Sequence, residues 1–162
     1  MTTALTVKKT VDGNMGDKNK DFSFTLAVTK DGQPYTETIT DSNGNSLKVN
    51  ENGVYTFKLK HDEQISVMLP AGCTLTVAET SVADDGYTTT VKVGENGTEE
   101  TVSSKTLTLT ENTTVLFTNS KTISAPTGVS HDAIPFVLMT VLALGGAASF
   151  VVLRKRRDGN AA

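Results

Sequence analysis

The sequence predicts an all-β sandwich followed by a single C-terminal transmembrane helix. The 162 residues include 27 threonines, most of them in segments where polar and apolar residues alternate, a pattern that favours strands. Turn dipeptides that contain glycine separate these segments at near-regular spacing, which is typical of a sandwich. Near the C-terminus, residues 133–153 form a run of 21 residues without a charge, long enough to cross a bilayer.

The predicted strands follow one another along residues 1–120. They are LTVKKTV from Leu5, FSFTLAVT from Phe22, YTETIT from Tyr35, VYTFKLK from Val54, ISVML from Ile65, CTLTVAE from Cys73, YTTTVKV from Tyr87, TLTLT from Thr106 and TTVLFTN from Thr113. The turn dipeptides are Asp12-Gly13, Asp31-Gly32, Asn43-Gly44, Asn52-Gly53, Asp85-Gly86 and Asn96-Gly97. Since these residues show neither a helical period nor an internal repeat, we expect one sandwich over residues 1–120.

The C-terminal region is organised like a membrane anchor. Residues 121–132 form a linker, and residues 133–153 cover about 30 Å as a helix. The basic tail, residues 154–162, opens with the sequence RKRR, and positive charge beside a span marks its cytoplasmic side. We therefore expect the N-terminal body to lie outside the cell. Because MTTALTV lacks the features of a signal peptide, we expect that the export signal has been removed or belongs to a longer parent chain.

Composition argues against several classes of function. The net charge is −3 although the tail is basic, so the body is acidic, which disfavours nucleic-acid binding. The single cysteine, Cys73, excludes an internal disulfide and is expected to be a small buried apolar residue. The two histidines, His61 in a polar turn and His131 in the linker, have no nucleophile nearby in sequence. We expect a solvated His61, no cofactor or metal, and no enzyme of multiple turnover.

Three predicted strands place a polar residue in phase with their apolar side chains. These residues are Lys9 in LTVKKTV, Glu79 in CTLTVAE and Asn119 in TTVLFTN. Lysine is among the residues least often buried. Either the strand phases slip near their ends and the three side chains reach solvent, or they meet inside the sandwich. Glu37, in phase with the apolar residues of YTETIT, is a rival acid.

If the three side chains meet, they can react. Burial lowers the pKa of a lysine, which makes the neutral amine of Lys9 a nucleophile. Burial also raises the pKa of a carboxyl group, so a protonated Glu79 could donate to the carboxamide oxygen of Asn119 and pass a proton to the departing ammonia. The product would be an isopeptide bond between Lys9 and Asn119 that leaves no isolated ammonium in the core.

Three segments carry a family resemblance. LTVKKTVDGN, LPAGCTLTVAETSVADDGY and VLFTNSK resemble the signatures of isopeptide-bonded Ig-like domains in Gram-positive surface proteins, namely the collagen-adhesin B-type domains and the streptococcal major-pilin linkage domains. The resemblance covers residues 4–121 in order and spacing. It implies that Lys9 and Asn119 form the crosslink and that Glu79 assists. Lys8 stays open as the donor, since a strand bulge would exchange it with Lys9.

The resemblance extends to a sorting signal. Such proteins end with a pentapeptide of the Leu-Pro-x-Thr-Gly kind before the span and the basic tail. The matching residues are Ser124, Ala125, Pro126, Thr127 and Gly128. Ser124 and Ala125 depart from the pattern, which leaves the class of sortase open. The resemblance implies that a sortase cleaves between Thr127 and Gly128 and joins Thr127 to peptidoglycan or to a lysine of another pilin subunit.

Together these features predict a structural cell-surface protein, a pilin or a wall-anchored stalk or adhesin subunit of a Gram-positive bacterium, made as a membrane-inserted precursor. Two alternatives stay open: an adhesin module that binds a host glycan or protein, and a single-pass surface protein that sortase does not process. A polymerising pilin also needs an acceptor lysine. The sequence has no YPK-like motif and offers Lys18, Lys20 and Lys121 as exposed candidates.

Overall fold

The computed structural model describes residues 1–80 and 85–124, and its regular elements are strands. The first six are β1 (Thr2–Asp12), β2 (Phe22–Lys30), β3 (Gln33–Pro34), β4 (Lys48–Val49), β5 (Val54–Leu59) and β6 (Gln64–Pro70). They are followed by β7 (Cys73–Thr80), β8 (Thr88–Val93), β9 (Glu99–Glu100), β10 (Ser104–Leu109) and β11 (Thr113–Ser120). The prediction of an all-β body is confirmed.

Two sheets face each other across the core. The first sheet has the strand order β6-β1-β11-β8-β9, and the second has the order β10-β7-β2-β5-β4, with β3 paired to β2. In the first sheet β1 and β11 run parallel, in an uninterrupted register from Leu5 opposite Thr113 to Asp12 opposite Ser120. The first and the last strand of the body are therefore direct neighbours.

Alternating side chains of both sheets fill the space between them, as the period of two along a strand requires. The buried apolar residues of the described core are Leu5, Val7, Val11, Phe22, Phe24, Leu26, Val28, Ile39, Tyr55, Leu59, Ile65, Val67, Leu69, Cys73, Leu75, Val77, Val91, Leu109, Val115 and Phe117. Five polar residues are buried with them: Thr3, Lys9, Glu79, Thr89 and Asn119. The sandwich thus encloses charged groups in an otherwise apolar interior.

Eight of the nine predicted segments coincide with strands, and YTETIT does not. Residues 35–39 form no strand. The hydroxyl of Tyr55 donates to the backbone oxygens of Tyr35 and Glu37, at 3.0 and 2.6 Å. A side chain thereby satisfies carbonyls that a neighbouring strand would otherwise bind. The segment YTETIT still alternates between polar and apolar residues, because two of its side chains contact the core: Ile39 is buried and Tyr35 packs against it.

The expectation that His61 is solvated is also wrong. Its imidazole is 18 % exposed, and its Nδ1 accepts a hydrogen bond of 2.9 Å from the backbone N–H of Val11. The other ring nitrogen lies 3.1 Å from the carboxylate of Asp62. The histidine side chain therefore serves as a hydrogen-bond partner for β1 just beyond its pairing with Gln64, the first residue of β6.

The chain that leaves β11 is tied back to the loop after β1. Lys121 N–H donates to Asp12 O at 3.1 Å, and Met15 N–H donates to Lys121 O at 3.0 Å. Further along, the carboxamide of Asn14 binds both backbone groups of Ile123, each at 3.0 Å. Residues 121–123 are therefore fixed to the sandwich, and Met1–Ile123 form one compact unit.

Several C-terminal predictions lie outside the described residues. They concern the sorting residues 125–128, the span at 133–153 and the tail at 154–162; His131 lies there too. Within residues 1–80 and 85–124, no helix has the length and apolar character needed to cross a membrane. The span and the sorting signal stay predictions.

Candidate functional site

Lys9 lies inside the sandwich with a side chain that is almost fully enclosed. The residue is 1 % exposed, whereas Lys8 points to solvent. Its backbone is held on the side of β1 that faces the turn before β6: Lys9 N–H donates to Glu63 O at 3.0 Å, and Lys9 O accepts from Asp62 N–H at 2.9 Å. Since no bulge interrupts the pairing of β1 with β11, strand geometry assigns the inner position to Lys9.

Glu79 reaches the same place from the opposite sheet. It sits near the end of β7, where it pairs with Phe24 of β2, and it is 4 % exposed. Its Oε2 lies 3.4 Å from the Nζ of Lys9. The acid and the amine therefore meet across the interface between the sheets.

Asn119 completes the cluster from β11. It is fully buried, and its Nδ2 donates to Oε1 of Glu79 at 2.5 Å. In the parallel ladder Lys9 is opposite Phe117 and Val11 is opposite Asn119, so Lys9 and Asn119 are diagonal neighbours. One carboxylate thus contacts both the amine and the carboxamide, one through each oxygen.

Aromatic rings surround this cluster and set its electrostatics. The Nζ of Lys9 lies 4.5 Å from the ring centroid of Phe22, and Phe24 packs edge-on against Phe117. Burial lowers the pKa of Lys9 to about 8, against the opposing charge of Glu79. Burial likewise raises the pKa of Glu79 above its ordinary value, although Lys9 opposes the shift. Both shifts favour the neutral acid and the neutral amine over the ion pair.

The orientation of the carboxamide differs from the expected one. We expected Glu79 to face the amide oxygen, whereas Nδ2 of Asn119 faces it. A carboxyl oxygen that carries no proton accepts hydrogen bonds, so Oε1 pairs with the NH₂ group. In this arrangement Glu79 can pass a proton between Lys9 and the amide nitrogen, but it does not polarise the carbonyl.

Other candidate residues are placed apart from the cluster. Glu37 is exposed, and its backbone oxygen accepts from Tyr55, so the rival acid is excluded from the core. Three lysines were expected to be exposed, and only Lys18 is. Lys20 and Lys121 are half-buried. Lys20 forms an ion pair with Asp85, and the Nζ of Lys121 donates to Asp85 O at 2.7 Å.

The sequence that provides these contacts matches a known protein family. The model of the family described as Domain of unknown function (DUF7601) matches residues 3–121. The chain belongs to this family.

Relatives of this DUF7601 protein come from streptococcal pili. It is 35 % identical to a pilin of Streptococcus pyogenes serotype M1, over 92 % of this chain and 48 % of the pilin. It is 34 % identical to the pilus tip adhesin Cpa of Streptococcus pyogenes, over 82 % of this chain and 19 % of the adhesin. The DUF7601 chain thus spans about half of the pilin and a smaller part of the adhesin.

Solved structures share the fold. The major pilin from Streptococcus pyogenes superposes with a TM-score of 0.63 at 31 % identity, covering 75 % of this chain and 48 % of that one. A pilus-presented adhesin, Cpa, gives 0.64 at 32 % identity, covering 75 % and 28 %. These relatives support a pilin-like surface protein. Pilins and adhesins are structural proteins, in agreement with the expectation that the DUF7601 chain is not an enzyme.

Two further observations describe what the site can hold. Among residues 1–80 and 85–124, no cluster of three or more His, Cys, Asp or Glu side chains could bind a metal ion. Cys73 is fully buried in the core, where burial raises the pKa of its thiol.

Sequence reasoning did not single out Thr89, a buried polar residue of this family member beside the cluster. It lies on β8 directly opposite Asn119. Its signal was present, because Thr89 is in phase with Val91 and Val93 in YTTTVKV. Threonine is so abundant in this chain, and so common on both faces of a strand, that the phase of one threonine does not stand out.

Proposed function

We propose that this chain is the wall-proximal part of a pilin or stalk-like surface subunit, braced by a self-formed isopeptide bond between Lys9 and Asn119. The observation that supports the bond is the position of Glu79, whose two carboxylate oxygens contact the amine and the carboxamide separately. The relationship to a pilin and a pilus tip adhesin supports the assignment to the cell surface of a Gram-positive bacterium.

The reaction would proceed by proton transfer through Glu79. Lys9 gives a proton to Oε2, and the neutral Nζ then attacks Cγ of Asn119, forming the new C–N bond. The amide nitrogen takes a proton from Glu79 and leaves as ammonia while the Cγ–Nδ2 bond breaks. The carboxylate recovers the remaining proton from the new amide nitrogen. The sum is amine plus carboxamide giving a secondary amide plus ammonia, with Glu79 acting as general acid and base.

The mass of the folded body tests this proposal. Residues 1–123 form a compact unit with its own core, so this fragment is the material to use. We expect the wild-type fragment to be lighter than calculated by one ammonia. Lys9→Ala, Glu79→Ala and Asn119→Ala should each have the full calculated mass, and Lys8→Ala, the matched control, should lose ammonia like the wild type. A wild-type fragment of full mass would refute the crosslink.

Anchoring is the second part of the proposal. A sortase would cut between Thr127 and Gly128 and join Thr127 to peptidoglycan or to a pilin lysine, after residues 133–153 have held the precursor in the membrane. Mass spectrometry of protein released from cell walls by a muramidase would identify the last residue. We expect peptides ending at Thr127 with a wall-derived or lysine adduct. Recovery of residues 128–162 in the mature protein would instead identify a single-pass protein that keeps its span.

A second candidate is an adhesin subunit that binds a host glycan or protein, because the tip adhesin Cpa is among the relatives. The two candidates differ in how the chain is assembled. Antibodies to residues 1–123 should detect a ladder of high-mass polymers in wall extracts if the chain is a shaft pilin. A single band of capped or monomeric product would favour the adhesin.

A further inference from the structure

Two buried polar atoms beside the cluster have no hydrogen-bond partner among the described residues. They are Oγ1 of Thr89 and Oδ1 of Asn119. Thr89 is 8 % exposed and Asn119 is fully buried. A polar group buried without a partner is unfavourable, because it has lost its hydrogen bonds to water and gained none in the fold. Two such groups next to one another therefore call for an explanation.

The sheet brings these two residues together. Asn119 and Thr89 are directly opposite each other in the antiparallel pairing of β11 with β8, and both side chains are on the inner face. Opposed residues in such a ladder have Cβ atoms about 4.5–5.5 Å apart. One of the two atoms is a hydroxyl oxygen that can donate, and the other is a carbonyl oxygen that can only accept.

We propose that Thr89 is a catalytic residue of crosslink formation, with its hydroxyl donating to the oxyanion that develops on Oδ1 of Asn119. The inference rests on the proposed function, since the oxyanion exists only if Lys9 attacks Cγ. Attack converts the planar amide into a tetrahedral centre and puts negative charge on Oδ1. Glu79 does not serve that oxygen, because its own contact with Asn119 is to Nδ2.

The absence of a Thr89–Asn119 hydrogen bond before reaction fits this role. A donor that binds the resting amide and the transition state equally does not speed the chemical step, whereas a bond made only in the transition state does. Attack makes Cγ tetrahedral and moves Oδ1 from its resting position, so that Oγ1 of Thr89 and Oδ1, which form no hydrogen bond in the resting fold, can come into bonding geometry as charge appears. The next inner-face residues on β11 and β8, Phe117 and Val91, are buried and apolar, and a hydrogen bond to charge is stronger in such surroundings.

The test compares three variants of residues 1–123. Thr89→Val keeps the branched shape and removes the hydroxyl, Thr89→Ser keeps the hydroxyl, and Thr89→Ala is a second hydroxyl-free variant in case valine prevents folding. Each chain is collected unreacted from inclusion bodies in guanidinium chloride and refolded by dilution. Samples are then quenched in acid over time, and the loss of ammonia is followed by intact mass.

We expect Thr89→Val and Thr89→Ala to form the bond roughly 10²–10³-fold more slowly than the wild type, the usual effect of removing one oxyanion donor. Thr89→Ser should stay within about tenfold of the wild type. In a Lys9→Ala background, which cannot crosslink, Thr89→Val should melt at the same temperature as its parent or higher. It removes a buried hydroxyl that has no partner in the resting fold.

Two results would overturn the assignment while leaving the crosslink intact. One is a Thr89→Val chain that reacts as fast as the wild type. The other is a slow Thr89→Val chain whose crosslink-free form is destabilised to the same degree, since the hydroxyl would then serve packing. If the wild type itself loses no ammonia, the proposed crosslink fails and the role of Thr89 fails with it.

Discussion

At the scale of single residues, the burial of Lys9 is tolerable because its neighbours can remove its charge. An unpaired ammonium in a protein interior is strongly unfavourable. Lys9 has Glu79 at 3.4 Å and the ring of Phe22 at 4.5 Å, and desolvation already moves its pKa to about 8. The same features that limit the cost of burial also prepare the amine for attack.

The lowered pKa of Lys9 predicts how stability depends on pH in a chain that keeps the amine but cannot react. Asn119→Ala is such a chain. Between pH 8 and 10.5 the folded lysine has lost its proton while the unfolded one still holds it. The unfolded state then binds more protons, so stability rises with pH. We expect the melting temperature of Asn119→Ala to rise by several degrees across this window.

The matched control for that titration is Lys9→Met with Asn119→Ala. It retains Glu79 and the apolar stem but has no amine to titrate, so the rise between pH 8 and 10.5 should disappear. Thermal melts of both variants at a series of pH values, followed by circular dichroism, provide the comparison. Equal slopes in the two variants would contradict the assignment of the lowered pKa to Lys9.

At the scale of elements, the segment 35–39 depends on one hydroxyl group. Burial raises the pKa of Tyr55 to about 12, so its O–H stays protonated well above neutral pH and donates to the carbonyls of Tyr35 and Glu37. The phenol thus takes the place of a neighbouring strand for two backbone oxygens.

Removing the hydroxyl of Tyr55 should weaken the attachment of residues 35–39 to the sandwich. In a Lys9→Ala background, which reports the unlinked fold, we expect Tyr55→Phe to lower the free energy of unfolding by about 1–3 kcal/mol, because two carbonyls lose their donor. Tyr35→Phe removes a phenolic hydroxyl from the same region but keeps both hydrogen bonds of Tyr55. It should lower the free energy of unfolding by less. Urea unfolding curves measure both. A Tyr55→Phe chain as stable as its parent would show that water satisfies these carbonyls equally well.

At the scale of the whole molecule, the parallel pairing of β1 with β11 determines the path of force. Tension applied at Met1 and Ile123 pulls these strands in opposite directions along their length, and the ties of residues 121–123 to the loop after β1 keep the C-terminal end engaged. A bond between Lys9 and Asn119 would carry the load directly between neighbouring strands. The 110 residues that follow Lys9, up to Asn119, would then lie outside the load path.

Single-molecule stretching measures this difference. When residues 1–123 are pulled from their ends, we expect the Glu79→Ala variant to unfold with a gain in length of roughly 350–400 Å, the contour of about 110 residues. The wild type should show no such step at any force that leaves covalent bonds intact. In the chain-entropy model a crosslink closing a loop of this size also adds about 4–5 kcal/mol of stability, so the melting temperature of the wild type should exceed that of Glu79→Ala. A full-length unfolding step in the crosslinked wild type would contradict this load path.

The sequence by itself determined which residues share a face of each predicted strand, because side chains alternate between the two faces and this alternation is a local property. Phase with neighbouring apolar residues therefore marked Lys9, Glu79 and Asn119 as candidates for the interior, with slippage into solvent as the alternative, and the pattern located eight strands. The same local rule failed at residues 35–40. Tyr35 and Ile39 contact the core and give the segment the alternation of a strand, whereas its carbonyls are bound by the side chain of Tyr55 and not by a neighbouring strand.

Only the tertiary structure decided which of these buried groups meet. Strand order, the parallel pairing of β1 with β11, and the approach of β7 from the opposite sheet are set by packing between segments far apart in sequence. Thus the contact of Glu79 with both partners, the orientation of the Asn119 amide and the position of Thr89 opposite it could not be derived from phase. Strand phase specifies the face on which a side chain lies, whereas its neighbour on that face depends on the register between strands.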